Sequence, residues 1–133
     1  MDCTGLIGLT ELQLQAHLGL ATSRREIGGD AWLVFQLPDV TLRVRCRDDG
    51  DGSQCASWTA SFAGGFDTLA EAAGEVGLWP AAEPDEIAAV VETPLIRRAL
   101  PDPERSVVHS LTATIRAGCF TQISMFDEPP DWS

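Results

Sequence analysis

The chain of 133 residues contains no lysine, no asparagine and no tyrosine. Its nine basic residues are therefore all arginine, set against 20 aspartates and glutamates, for a formal net charge of −11. That shortage of positive charge excludes nucleic-acid binding through an overall basic surface, and it disfavours direct attraction to anionic lipid. Without lysine there is no Schiff-base chemistry, and there is no G-x-S-x-G elbow or reactive-cysteine signature for acyl transfer. No apolar run approaches the length of a membrane span. The opening residues Met1-Asp2-Cys3-Thr4-Gly5 lack the basic and apolar stretches of a signal peptide, so a cytoplasmic location with no membrane partner is expected.

Only four cysteines occur, Cys3, Cys46, Cys55 and Cys119, with no C-x-x-C pair, and only His17 and His109 could join them. No metal site and no cofactor are expected from that set. Cys46 and Cys55 could face each other across a hairpin, although in a reducing compartment small buried thiols are the simpler reading.

An apolar fraction of 44% is enough for a real core. Thr10 with Gln13 makes a capping box for a helix over Glu11 to Leu18, closed by Gly19, and Leu9 and Leu14 form its hydrophobic staple. Ala21 to Asp30 reads as a loop. Ala31 to Leu37 is almost continuously apolar and reads as a central strand or one covered on both faces. Val40 to Arg47 alternates, with Val40, Leu42, Val44 and Cys46 on one side and Arg43, Arg45 and Arg47 on the other. A third strand covers Ala56 to Phe62 and ends before Gly64-Gly65. Thr68 and Glu71 start a helix over Leu69 to Val76. Pro84-Asp85-Glu86 opens another, reaching about Glu92, and Leu95 to Leu100 forms a short last one. Ser106 to Arg116 and Cys119 to Phe126 make a hairpin turned at Ala117-Gly118. The tail after Phe126 contains Pro129-Pro130 and should be extended. The order predicts an α+β fold in one domain over residues 1–133, with an antiparallel sheet of about five strands and helices packed on one face. No internal repeat is visible.

The charge is concentrated. Residues 48–92 hold ten acids and no base, whereas residues 1–47 balance and residues 93–133 sum to −1. Asp48, Asp49, Asp51, Glu71, Glu75, Glu83, Asp85 and Glu86 are thus candidate contacts for a basic protein partner, with Trp132 in the tail as an apolar anchor. Purely solubilising acidity is the other reading of the same residues. Around Asp48-Asp49-Gly50-Asp51 a calcium loop fails, because Gln54 stands where the EF-hand pattern needs glycine and Ala60 where it needs glutamate. The arginine row of Arg43, Arg45 and Arg47 could hold an anion, with cross-strand pairing to nearby aspartates the simpler account. His109 falls among apolar strand residues, where a hydrogen-bonded core histidine is commoner than a general base.

The helix ending in Leu18-Gly19, then Arg25, Gly29, Trp32 and the alternating strand to Cys46, loosely resembles the helix-plus-meander unit of the SmpA/BamE-like family over residues 8–47. A related unit is duplicated in a β-lactamase inhibitor protein. The resemblance implies a protein-binding scaffold and transfers no catalytic residue. Length, acidity and element order are also similar to the dimeric type III secretion chaperones, which hold effectors. The sequence therefore points to a non-enzymatic inhibitor or immunity-type protein, monomeric or homodimeric, with a chaperone-like dimer as the alternative.

Overall fold

Thr10 starts the first helix, α1 (Glu11–Leu18), with both bonds of the capping box in place. Its hydroxyl accepts from the Gln13 amide at 3.2 Å, and the Gln13 side chain accepts from the Thr10 amide at 2.9 Å. Gly19 ends the helix at φ 93°, and Leu14 is fully buried beneath it. The architecture as a whole departs from the α+β reading. In the computed structural model, which describes residues 3, 5–48, 52–77, 86–90, 93–102 and 106–127, eight antiparallel strands form a single sheet, accompanied among the described residues by two short helices.

The strands are β1 (Ser23–Ile27), β2 (Asp30–Leu37), β3 (Val40–Asp48), β4 (Ser53–Phe66), β5 (Glu86–Val90), β6 (Thr93–Asp102), β7 (Val107–Arg116) and β8 (Cys119–Phe126). The second helix, α2 (Leu69–Glu75), follows β4. Spatial order is β1-β2-β3-β4-β8-β7-β6-β5. Each half of the chain thus runs helix, then a four-strand meander, and the two meanders join through their last strands. No repeat of residues announces this repeat of order.

Four elements correct the sequence reading. The expected loop before Asp30 is strand β1, whose burial pattern is exposed throughout and so carries no alternation to read. It is held by its ladder to β2 and by Arg24, which reaches Glu11 on α1 at 2.7 Å. The two helices expected over Pro84 to Leu100 are instead strands β5 and β6. An apolar run as short as Ile87 to Val90 fits either element, and cross-strand pairing decides it here. Prolines are tolerated in β6 because each sits where one neighbour has ended. Pairing with β7 begins only at Leu95, one residue after Pro94, and pairing with β5 stops at Arg97, well before Pro101. Strand β4 also runs on through Gly64-Gly65 to Phe66 instead of ending before them.

Strand alternation places the core on one face of the sheet. Ala31, Leu33 and Phe35 of β2, Val40, Leu42, Val44 and Cys46 of β3, and Trp58, Ala60 and Phe62 of β4 pack there. Leu111 and Ala113 of β7, Ile123 and Met125 of β8, and Leu100 of β6 complete the layer. Leu14 of α1 and Leu69, Ala72 and Ala73 of α2 join the same cluster, as do Cys3, Leu6 and Ile7 from the segment before α1. That segment also lies along β4, with Gly8 donating to the Cys55 carbonyl at 2.8 Å and the Cys55 amide donating to Leu9 at 2.7 Å. Trp58 is the largest fully buried side chain among the described residues, and truncating such a residue to alanine costs about 3–5 kcal/mol.

Candidate binding surface

Register partners project to the same face, so the ladders define the other face of the sheet residue by residue. Its first cross-sheet row is Arg25, Trp32, Arg45, Ser57, Phe126 and Ser110. The next is Ser23, Val34, Arg43, Thr59, Ser124, Thr112 and Arg97. Every described element outside the sheet contributes its buried residues to the core on the opposite side. No described element therefore lies over this face.

The face divides into two parts. Toward the Val40 end it is a lawn of hydroxyls and amides that bond one another: Thr59 to Ser124 at 2.8 Å, Thr41 to Gln36 at 3.0 Å, and Gln122 to Ser61 at 3.2 Å. Toward the Asp30 end it gathers apolar and cationic groups. Seven large apolar side chains are exposed among the described residues, and four of them, Ile27, Trp32, Val108 and Phe126, belong to this part of this face. Arg25, Arg45 and Arg47 stand among them, with Arg43 one row away.

Arg45 is the best-defined member. It lies between Trp32 and Ser57 in the register. Its Nη1 is 3.8 Å from the Asp30 carboxylate, at the long limit of an ion pair, and its Nε is buried with no hydrogen-bond partner among the described residues. Cross-strand pairing to aspartate thus accounts for part of the arginine row and leaves donors over. The strand carrying Trp32, expected to be central or covered on both faces, pairs with β1 and β3 on its two sides but is covered on one face, and Trp32 is 39% exposed. Exposure of Trp32, Phe126 and Val108 left no signal in the sequence, because which face a strand turns outward is set by neighbours distant along the chain.

The acidic residues are not brought together. Asp48 ends β3 beside a 470 Å³ cavity lined also by Glu11, Arg24, Glu26 and Asp30. Glu75 borders a different, 360 Å³ cavity at the other end of β3, with Asp39, Phe62 and Phe66. Glu71 is occupied in capping α2, where its carboxylate accepts from the Thr68 hydroxyl at 3.0 Å. Glu86 opens β5. Asp49, Asp51, Glu83, Asp85 and Trp132 lie outside the described residues, as does the calcium-loop pattern around Gly50. In the first cavity Arg24 is held by Glu11 and then by Glu26 at 2.8 Å, which fix its guanidinium firmly in the charged form. It is not a free cation site.

Other reactive groups are built into the core. His109 is 1% exposed, with its Nδ1 3.7 Å from the Asp127 carboxylate. Cys46 and Cys55 are register partners and both are free thiols, as is Cys119. Burial pushes the Cys46 thiol up to about 11. Cys55 is pushed up further, first by burial and then by Cys46 beside it. Such thiols are poor nucleophiles at neutral pH. Among the described residues no group of three or more His, Cys, Asp or Glu is arranged to hold a metal. Nor is any helix there long and apolar enough to cross a membrane.

No protein-family model and no curated protein matches the chain. Among solved structures it is similar to a cysteine-rich secretory protein from Staphylococcus aureus, with a TM-score of 0.55 and 11% sequence identity. The match covers 96% of this chain and 47% of the other, so this chain spans about half that protein's length. At that identity the likeness concerns the fold alone.

Proposed function

We propose that this protein is a non-catalytic protein-binding module, of inhibitor or immunity type, that presents the uncovered face of its sheet to a partner. The observation that carries this reading is the coincidence of Trp32, Phe126, Val108 and Ile27 with Arg25, Arg45 and Arg47 on one part of that face. Tryptophan and arginine dominate the energetics of protein interfaces, because a large flat apolar group and a multidentate donor each gain most when water is excluded around them. The resemblance of residues 8–47 to the SmpA/BamE-like unit supports the same reading. A version in which the acids of residues 48–92 grip a basic partner has less support, since Asp48 and Glu75 sit at opposite ends of β3.

The test is site-specific photocrosslinking in native cell extract. A photoreactive residue at exposed Ser23, on the proposed face, should capture one protein in stoichiometric amount, and Trp32→Ala should abolish that capture. The same group at Leu12, 78% exposed on α1, is the control. Capture from position 12 alone, or capture from position 23 that survives Trp32→Ala, would defeat the proposal.

A further inference from the structure

We infer that the partner element received by this face is a short acidic, apolar-anchored segment of extended chain, whose carboxylates pair with Arg43 and Arg45 and whose side chains rest on Trp32 and Phe126. The inference rests on the protein-binding reading above and adds the chemistry of the partner. It begins from charge. The molecule as a whole is strongly negative, yet this face carries Arg25, Arg43 and Arg45 against the single carboxylate of Asp30 among its described strand residues from β1 to β4. Arg24, on the other side of the sheet, is neutralised between two glutamates. Arg43 instead is exposed and has no hydrogen bond or ion pair among the described residues, and Arg45 retains a buried Nε without an acceptor. A buried guanidinium nitrogen lacking an acceptor is unfavourable unless something supplies one. A carboxylate fits the planar fork of arginine in bidentate fashion.

Geometry sets the size of the occupant. From β1 to β8 the row Arg25, Trp32, Arg45, Ser57, Phe126 crosses four inter-strand steps, which at ~4.8 Å each span roughly 19 Å, the length of about six residues of extended chain. Beyond that row the hydroxyls already satisfy one another, so they offer few free donors. The limited patch also argues against a nucleic-acid strand. A continuous polyanion longer than the patch would run past it onto a molecule of net charge −11, whereas a short peptide confines its charge to the arginines.

The probe is a fluorescein-labelled octapeptide of alternating glutamate and leucine, compared by fluorescence anisotropy with its lysine-leucine counterpart and with labelled oligo(dT) of 20 nucleotides. Circular dichroism of each variant confirms that it is folded. The glutamate peptide should bind and the lysine peptide should not, and the double variant Arg43→Gln, Arg45→Gln should weaken binding at least about tenfold, the loss of one charge-assisted bond or more. Trp32→Ala should weaken it as well. If both peptides bind equally and only Trp32→Ala weakens them, the face docks protein but the acidic preference is overturned. If oligo(dT) binds more tightly than the glutamate peptide, and the arginine variant abolishes it, the acidic-peptide inference is replaced by a nucleic-acid one. If nothing binds, or no variant on the face changes binding, the inference fails together with the docking face itself.

Discussion

Cys46 and Cys55 show how one pair of positions ties burial to stability. Both thiols ionise less readily in the folded chain than at the ordinary value of 9.0. The folded state therefore holds protons that the unfolded state gives up, and stability must fall as pH rises above about 9, with the Cys46 contribution lost by about 11. Thermal unfolding followed by circular dichroism between pH 8 and 11 should show a falling midpoint, and the Cys46→Ala, Cys55→Ala double variant should show a shallower fall. The same burial orders reactivity. Iodoacetamide at neutral pH should modify half-buried Cys119 first, leaving buried Cys3, Cys46 and Cys55 unmodified until denaturant is added. Peptide mass spectrometry reads the order directly.

Among the elements, those that formed as the sequence predicts are the ones whose signals are local. Helix α1 has its capping box and closing glycine, β3 has a strict alternation of apolar residues with arginines, and the β7–β8 hairpin has a two-residue turn at Ala117 and Gly118, both with positive φ. Strands β1, β5 and β6 were hidden because their partners, not their own residues, define them. Prolines in β6 and an acidic start to β5 mimic helix punctuation. The binding surface was legible in the same partial way: alternation revealed the arginine row, but the exposure of Trp32 and its company with Phe126 depend on the β4–β8 ladder. Gly65 marks the point where β4 adapts to that ladder. It has φ 69°, and a Cβ there would lie 3.0 Å from the Cβ of Cys119 and 3.4 Å from the Phe120 carbonyl oxygen. Gly65→Ala should destabilise the protein by about 1–3 kcal/mol, more than a neutral strand substitution, in urea unfolding.

For the molecule as a whole, the matching order of helix and four strands in each half, joined at β4 and β8, makes each half incomplete. Separated from the rest, residues 1–67 would leave the β4 edge unpaired along Ser57 to Ser61 and strip cover from Trp58. Because β4 and β8 occupy the same place in their meanders and pair antiparallel, β4 of a second copy can take the place of β8. The isolated fragment should therefore associate, and sedimentation velocity should find it as a dimer or larger species; a folded monomer at micromolar concentration would contradict this.

The central ladder also sets how the chain finds its shape. Six of the seven ladders join strands that are consecutive in the chain, and only β4–β8 is distant, pairing Ser57 with Phe126, 69 positions later. Local hairpins close cheaply in entropy and can zip in microseconds, while the single long-range closure must bring two preassembled meanders together. Folding speed should then be governed by one encounter. Substitutions such as Ile123→Val in that seam should slow refolding in stopped-flow experiments, whereas Ala113→Gly in the β7–β6 ladder should chiefly hasten unfolding.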